Sequence, residues 1–129
     1  GKAIRLATSD EFINIKEEAL NFVKNVYSYD IADLIDAVKR ITEYKISASE
    51  YIDLLQMWYR DVLLFKVTKD PNNLIFADEI NSIRRQASKS SYEGLENIQN
   101  GLEVAKARLK ANVNFELAIE LMLLNIKEN

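Results

Sequence analysis

The side chains able to do chemistry in this chain are carboxylates, because the more reactive residue types are missing. Cysteine and histidine are both absent. That removes thiol nucleophiles, disulfides and thiolate metal sites, together with the commonest metal ligand and the commonest general base near neutral pH. Glu17 and Glu18 are adjacent, and Glu116 and Glu120 stand one helical turn apart, so either pair offers a conceivable metal or acid–base site. Carboxylate-bridged metal sites on helix bundles normally draw on histidine as well, and a solvated helix face accounts better for both pairs. Gly94 and Gly101 do not make a phosphate loop, since they lie within a helical pattern with no following Lys-Ser or Lys-Thr. No calcium-loop spacing occurs either. The expectation is therefore no catalytic residue, no metal and no cofactor.

Arg60 and Asp61 leave two readings open. They form a surface ion pair of little energetic value, or Arg60 reaches a carboxylate of a neighbouring subunit through its planar fork. Lys106, Arg108 and Lys110 crowd the end of one helical segment, and Lys39 and Arg40 approach the end of another. Cations near helix C-termini are favourable for stability alone, and no aromatic residues interleave with these to suggest a nucleic-acid surface. The formal charge of −3 and pI near 5.1 argue against bulk attraction to nucleic acid or an anionic membrane. Direct DNA contact is not expected, although a local basic face is compatible with these totals.

The elements that carry these residues are helices. One Pro and three Gly in 129 residues leave little material for turns or strands, and a chain of this length makes a single domain with one core. The expected fold class is all-α, a compact bundle of about six or seven mostly antiparallel helices. No apolar run approaches the roughly 20 residues of a spanning helix, and no signal-peptide pattern opens the chain, so a cytoplasmic protein is expected. Residue 1 is Gly, which suggests a domain excised from a longer protein or a tag remnant.

In chain order, Gly1 to Thr8 reads as a short helix. Thr8 or Ser9 caps the next, with Asp10 and Glu11 in its first turn and Phe12, Ile15, Ala19, Phe22, Val23 and Val26 as its stripe. Tyr27 to Tyr29 breaks it. Asp30 caps a third, with Ile31, Leu34, Ile35, Val38 and Ile41 facing inward. The central helix opens on a capping-box spacing, Ser47 and Glu50, and runs to Lys69. Its first half is amphipathic, with Ser49, Asp53, Gln56 and Arg60 sharing one face. Further along, Met57, Leu64 and Val67 project at nearly the same azimuth, so apolar residues invade the polar stripe; Trp58, between Leu55 and Val62, reads as core.

Asp70-Pro71-Asn72-Asn73 is the strongest turn signal. A shorter helix follows, about Ala77 to Ser88, with Phe76, Ile80, Ile83 and Ala87 inward. After a serine joint, a helix from about Tyr92 to Ala111 buries Leu95, Ile98, Leu102, Ala105 and Leu109. Gly94 and Gly101 on one side of it mark either a close backbone approach or two tolerated glycines. Asn112-Val113-Asn114 is a joint, because Asn both ends and caps helices. The last helix, Phe115 to Lys127, is too apolar for a surface helix, so it is central or covers a partner.

The run W-Y-R-D-V-L-L-F-K at Trp58 to Lys66, followed by A-R-L-K-A-N-V-N-F-E-L-A-I-E-L-M-L-L at Ala107 to Leu124, resembles the C-terminal domain of the delta-prime subunit of the bacterial DNA polymerase III clamp loader. The opening G-K-A-I-R-L is also similar to the segment entering that domain. The residues carrying the likeness are Trp58, Tyr59, Asn112, Asn114, Leu117, Glu120 and Leu124. The related delta and gamma/tau subunits share the architecture. The resemblance implies a non-catalytic collar domain. It packs beside the matching domains of other loader subunits in a ring that holds ATPase modules while they open a sliding clamp. Delta-prime usually contributes an arginine to a neighbour's nucleotide site and carries zinc cysteines, but the regions bearing them are not in this chain.

Together these readings predict a hetero-oligomeric assembly domain without membrane or small-molecule partners. Its expected interface is apolar surface on the central and last helices, at Met57, Arg60, Asp61, Leu64, Val67 and Leu123. A free-standing helical scaffold outside replication and a small carboxylate enzyme are the competing possibilities.

Overall fold

A computed structural model describes residues 9–43, 48–111 and 114–129, with side chains from Ile13 onward in the first segment. Six α-helices run through these residues: α1 Ser9–Asn25, α2 Ile31–Glu43, α3 Ala48–Thr68, α4 Ile80–Lys89, α5 Tyr92–Lys110 and α6 Phe115–Glu128. Short 3-10 turns occupy Val26–Ser28, Pro71–Asn73 and Ala77–Glu79. The all-α expectation is met, with no strand among the described residues. The expected Gly1 to Thr8 helix, the caps at Thr8 and Ser47, and the Asn112-Val113 half of the joint fall outside the described residues, as do the side chains of Ser9 to Phe12.

Local chemistry fixes most boundaries. Val26–Ser28 and an extended Tyr29 interrupt the chain after α1. Asp30 Oδ1 accepts from the Asp33 amide at 2.9 Å while Asp33 Oδ2 accepts from the Asp30 amide at 3.1 Å, a reciprocal cap at the entry to α2. After α3, Lys69 takes a left-handed conformation at φ 59° and its amide donates to the Phe65 carbonyl at 2.8 Å, so the chain turns away from the helix axis. Asp70 then accepts from the Asn72 amide at 2.9 Å and Pro71 opens the turn. Ser91 Oγ accepts from the Gly94 amide at 2.9 Å and Asn114 Oδ1 from the Leu117 amide at 2.9 Å, capping α5 and α6.

Helix α3 is the hub. It packs against α1, α4 and α5, while α6 closes the bundle by packing on α5 and α2. Ion pairs join neighbours: Arg40 of α2 meets Glu18 of α1 at 2.8 Å, and Lys106 of α5 meets Asp53 of α3 at 2.8 Å. Trp58, Tyr51, Tyr59, Phe22, Leu55, Ile83, Ile98 and Leu102 are buried in one continuous core. Burial of that kind contributes about 1.5–3 kcal/mol per large side chain, so propensity alone does not decide these helices.

Two buried polar groups tie the layers together. Gln86 of α4 accepts from the Trp58 indole N–H at 3.0 Å and donates its amide to the Val23 carbonyl, linking α4 to α3 and α1. Asp61 of α3 accepts from the amides of Ile75 and Phe76, pinning the connector between α3 and α4.

One stripe departs from its sequence pattern. Ile31 and Ile35 of α2 are exposed, and the buried face consists of Leu34, Ala37, Val38 and Ile41. The bundle covers a narrower arc of α2 than its apolar residues span, so the two isoleucines on the flank remain in water.

Candidate subunit interface

The outer strip of α3 is built by the failure of its own amphipathic pattern. Positions 53, 57, 60, 64 and 67 follow one another at helical spacing along the outer side of the helix. Asp53 at the start is held by Lys106, and the Gln56 carbonyl accepts from Gln99 Nε2 at 3.2 Å, so α5 runs beside this edge. Beyond them Met57 is 40% exposed and Val67 is 62% exposed, with Leu64 half-buried between them and packed against the core. The Arg60 side chain is exposed beside them. Lys66 leaves the strip sideways, donating to the Ala87 carbonyl at 2.9 Å and standing 4.9 Å from the Tyr92 ring centroid.

Two of the expected contact residues lie elsewhere. Asp61 is fully buried, not part of the polar stripe. Its carboxylate is occupied by two backbone amides at 3.0 and 2.7 Å, and Arg60 Nη1 approaches it at 3.4 Å from the solvent side. Leu123 is likewise fully buried, among the inward residues Ala118, Ile119, Met122 and Ile126 of α6. The reason is azimuth, since Leu123 shares the face of Ile119 and Ile126, four residues before it and three after it.

The outward crest of α6 is Leu117, Leu121 and Leu124, all exposed, flanked by exposed Glu116 and Glu120. The last helix therefore does both things its composition allows, burying one face and presenting leucines on the other. The i, i+4, i+7 spacing of those leucines was the signal that could have found them.

Among the described residues, no group of three or more acidic side chains is arranged to hold a metal ion. Glu18 is paired with Arg40, Glu17 borders an open hollow with Asn14 and Asn21, and Glu116 and Glu120 face solvent. Trp58 and Tyr59 of the motif are entirely core, Asn114 is a helix cap, and Asn112 lies outside the described residues. The glycines mark a close approach: a Cβ on Gly101 would strike the Asn125 amide, and one on Gly94 would come within 2.9 Å of the Asn129 carbonyl.

A family model described as DNA polymerase III, delta subunit, C terminal, matches residues 10–128. The chain belongs to this family. The likeness read from Trp58 to Lys66 and from Ala107 to Leu124 is thus a true family relationship. DNA polymerase III subunit delta' of Bacillus subtilis (strain 168) is 25% identical over 130 residues, covering 98% of this chain and 39% of that protein. The chain spans about two fifths of the length of that relative. No solved structure matches it. Within this member of the delta family, no helix among the described residues is long and apolar enough to cross a membrane.

Proposed function

We propose that this delta-family domain is a non-catalytic collar of a DNA replication clamp loader. It docks against unlike loader subunits and works in the cytoplasm without a cofactor of its own. The observation that carries the reading is the strip Met57, Arg60, Leu64 and Val67. In this strip the hub helix of the bundle, which a self-sufficient domain would cover, keeps apolar side chains at the surface beside an arginine. Apolar centres bordered by Arg and aromatic residues are the composition of subunit interfaces, and unlike partners satisfy such a strip without self-symmetry. The similarity to Bacillus subtilis subunit delta' supports the choice of partners. Asp61 and Leu123, being buried, act as scaffold behind this surface and not as part of it.

The test is a mixing experiment with the delta and gamma/tau subunits of the same organism, followed by size-exclusion chromatography with light scattering. Co-elution of the folded domain with at least one of them is expected. Separate elution of every component, with the domain's helical circular dichroism intact, overturns the reading in favour of a scaffold outside replication.

A further inference from the structure

The C-terminal ends of α1 and α4 come together around a hollow of about 270 Å³ lined by Lys24, Asn25, Tyr27, Ser28, Arg85, Gln86 and Lys89. Three of the seven are cations and none is an acid, in a chain whose net charge is −3. We propose that this hollow binds a phosphate group, with Arg85 and Lys89 as its principal donors and Lys24 at its edge.

Cations in a last turn ordinarily offset the helix dipole, and Lys24 and Lys89 each stand in the last turn of their own helix. That explanation does not reach Arg85, one turn earlier on α4, whose side chain lines the same hollow. Nor are the carbonyls at the end of α1 short of donors. Ser28 Oγ donates to the Asn25 carbonyl at 2.8 Å and Asn25 Nδ2 to the Asn21 carbonyl at 2.8 Å. The Val23 carbonyl takes the Gln86 amide. The floor of the hollow is thereby fixed by neutral groups, with Gln86 locked between Val23 and Trp58.

Of the cations, only Lys24 has an acidic partner within the described residues, Glu79 at 3.2 Å. Arg85 makes one long bond, 3.3 Å to Ser82 Oγ, which leaves most of its fork free. A guanidinium and an ammonium one turn apart on a helix suit a tetrahedral oxyanion, the fork supplying paired N–H groups and the ammonium a point charge. The volume falls below that of pockets holding drug-sized ligands, so it fits the phosphate of a larger molecule whose bulk stays outside. That phosphate can come from a nucleic-acid backbone or from a free nucleotide.

Fluorescence anisotropy of the whole chain with labelled single-stranded and primed oligonucleotides, and separately with a fluorescent ATP analogue, distinguishes the two sources. Inorganic pyrophosphate serves as competitor in both. Binding by at least one probe is expected. If the oligonucleotide is the ligand, the log–log salt slope should be about −0.7 to −0.9, the size one phosphate contact produces. Arg85→Ala and Lys89→Ala should each weaken binding about tenfold and flatten that slope. Arg85→Lys should recover part of the loss, and Lys39→Ala on α2 should leave binding unchanged. Circular dichroism melts confirm that each variant is folded. No binding by any probe at low salt, or equal binding by wild type and the Arg85 and Lys89 variants, overturns the proposal and leaves the cations as dipole partners only. The outcome does not depend on subunit association, because the hollow lies off the α3 strip.

Discussion

Asp61 Oδ2 accepts from the Phe76 amide at 2.7 Å, across the connector between α3 and α4, with no solvent reaching the carboxylate. The same carboxylate takes the Ile75 amide at 3.0 Å, so one side chain on the hub helix closes the turn that returns the chain for α4. Removing it strands two backbone donors, one of them buried. Asp61→Ala should cost about 3 kcal/mol, and Asp61→Asn, which keeps one acceptor, roughly half of that. Urea denaturation of both variants checks the ranking. If Asp61→Ala loses less than Asp61→Asn, the carboxylate is not what holds the connector.

Gly101 and Asn125 form a second coupled pair. Asn125 Nδ2 donates to the Asn97 carbonyl at 3.1 Å over the gap that Gly101 leaves. Alanine at 101 gains about 1 kcal/mol of helix propensity, but it evicts the Asn125 amide and with it a hydrogen bond of about 1 kcal/mol. Gly101→Ala should therefore be nearly neutral alone, yet stabilising by about 1 kcal/mol when made in an Asn125→Ala background. The four-variant cycle reads this coupling directly, and strict additivity would show that the two residues do not compete for the space.

Met57 and Val67 give the prediction that separates association from folding. Met57→Glu and Val67→Glu should melt within about 0.5 kcal/mol of wild type, as substitutions at exposed sites do. Co-elution with loader subunits should fall at least tenfold, since a charge then has to be desolvated in the interface. Leu64 is half-buried against the core, so Leu64→Glu should weaken folding as well as assembly. A lost melting transition for Met57→Glu would place that residue in the core and remove it from the interface.

Tyr51 and Tyr59 have fully buried hydroxyls with no hydrogen-bond partner among the described residues, and burial raises both phenols well above their ordinary value. The unfolded chain releases these protons near pH 10 while the native chain keeps them. Stability is consequently unaffected below about pH 10 and falls as pH rises beyond it. Absorbance at the tyrosinate band should show Tyr51 and Tyr59 ionising only together with loss of helical signal. Ionisation of Tyr51 and Tyr59 with the helices intact contradicts this coupling.

Much of this molecule can be read from its residues in order. The scarcity of Gly and Pro and the 3.6-residue recurrence of apolar positions imply an all-α fold. The caps at Asp30 and Asn114 and the turn at Asp70 depend on neighbours three residues away or fewer, so sequence alone locates them, whereas the serine joint is legible without saying that Ser91 is the cap. The core stripes of α1 from Ile15 to Val26 and of α5 from Leu95 to Ala105 follow for the same reason, because a helix carries its own azimuth. Likewise W-Y-R-D-V-L-L-F-K and the Ala107 to Leu124 run suffice for the family.

What no pattern could decide is which part of an apolar arc another helix covers. Ile31 and Ile35 look as inward as Leu34 until α6 is placed beside α2, and Leu123 looks as available as Leu124 until α5 and α2 flank α6. Asp61 reads as a surface acid because its partners, the amides of Ile75 and Phe76, have no side-chain signature and lie beyond a turn. Gln86, joining Trp58 to Val23, is invisible for the same reason. Azimuth is a property of one helix, whereas coverage and long-range hydrogen bonding belong to pairs of helices distant in the chain, and only packing brings those pairs together.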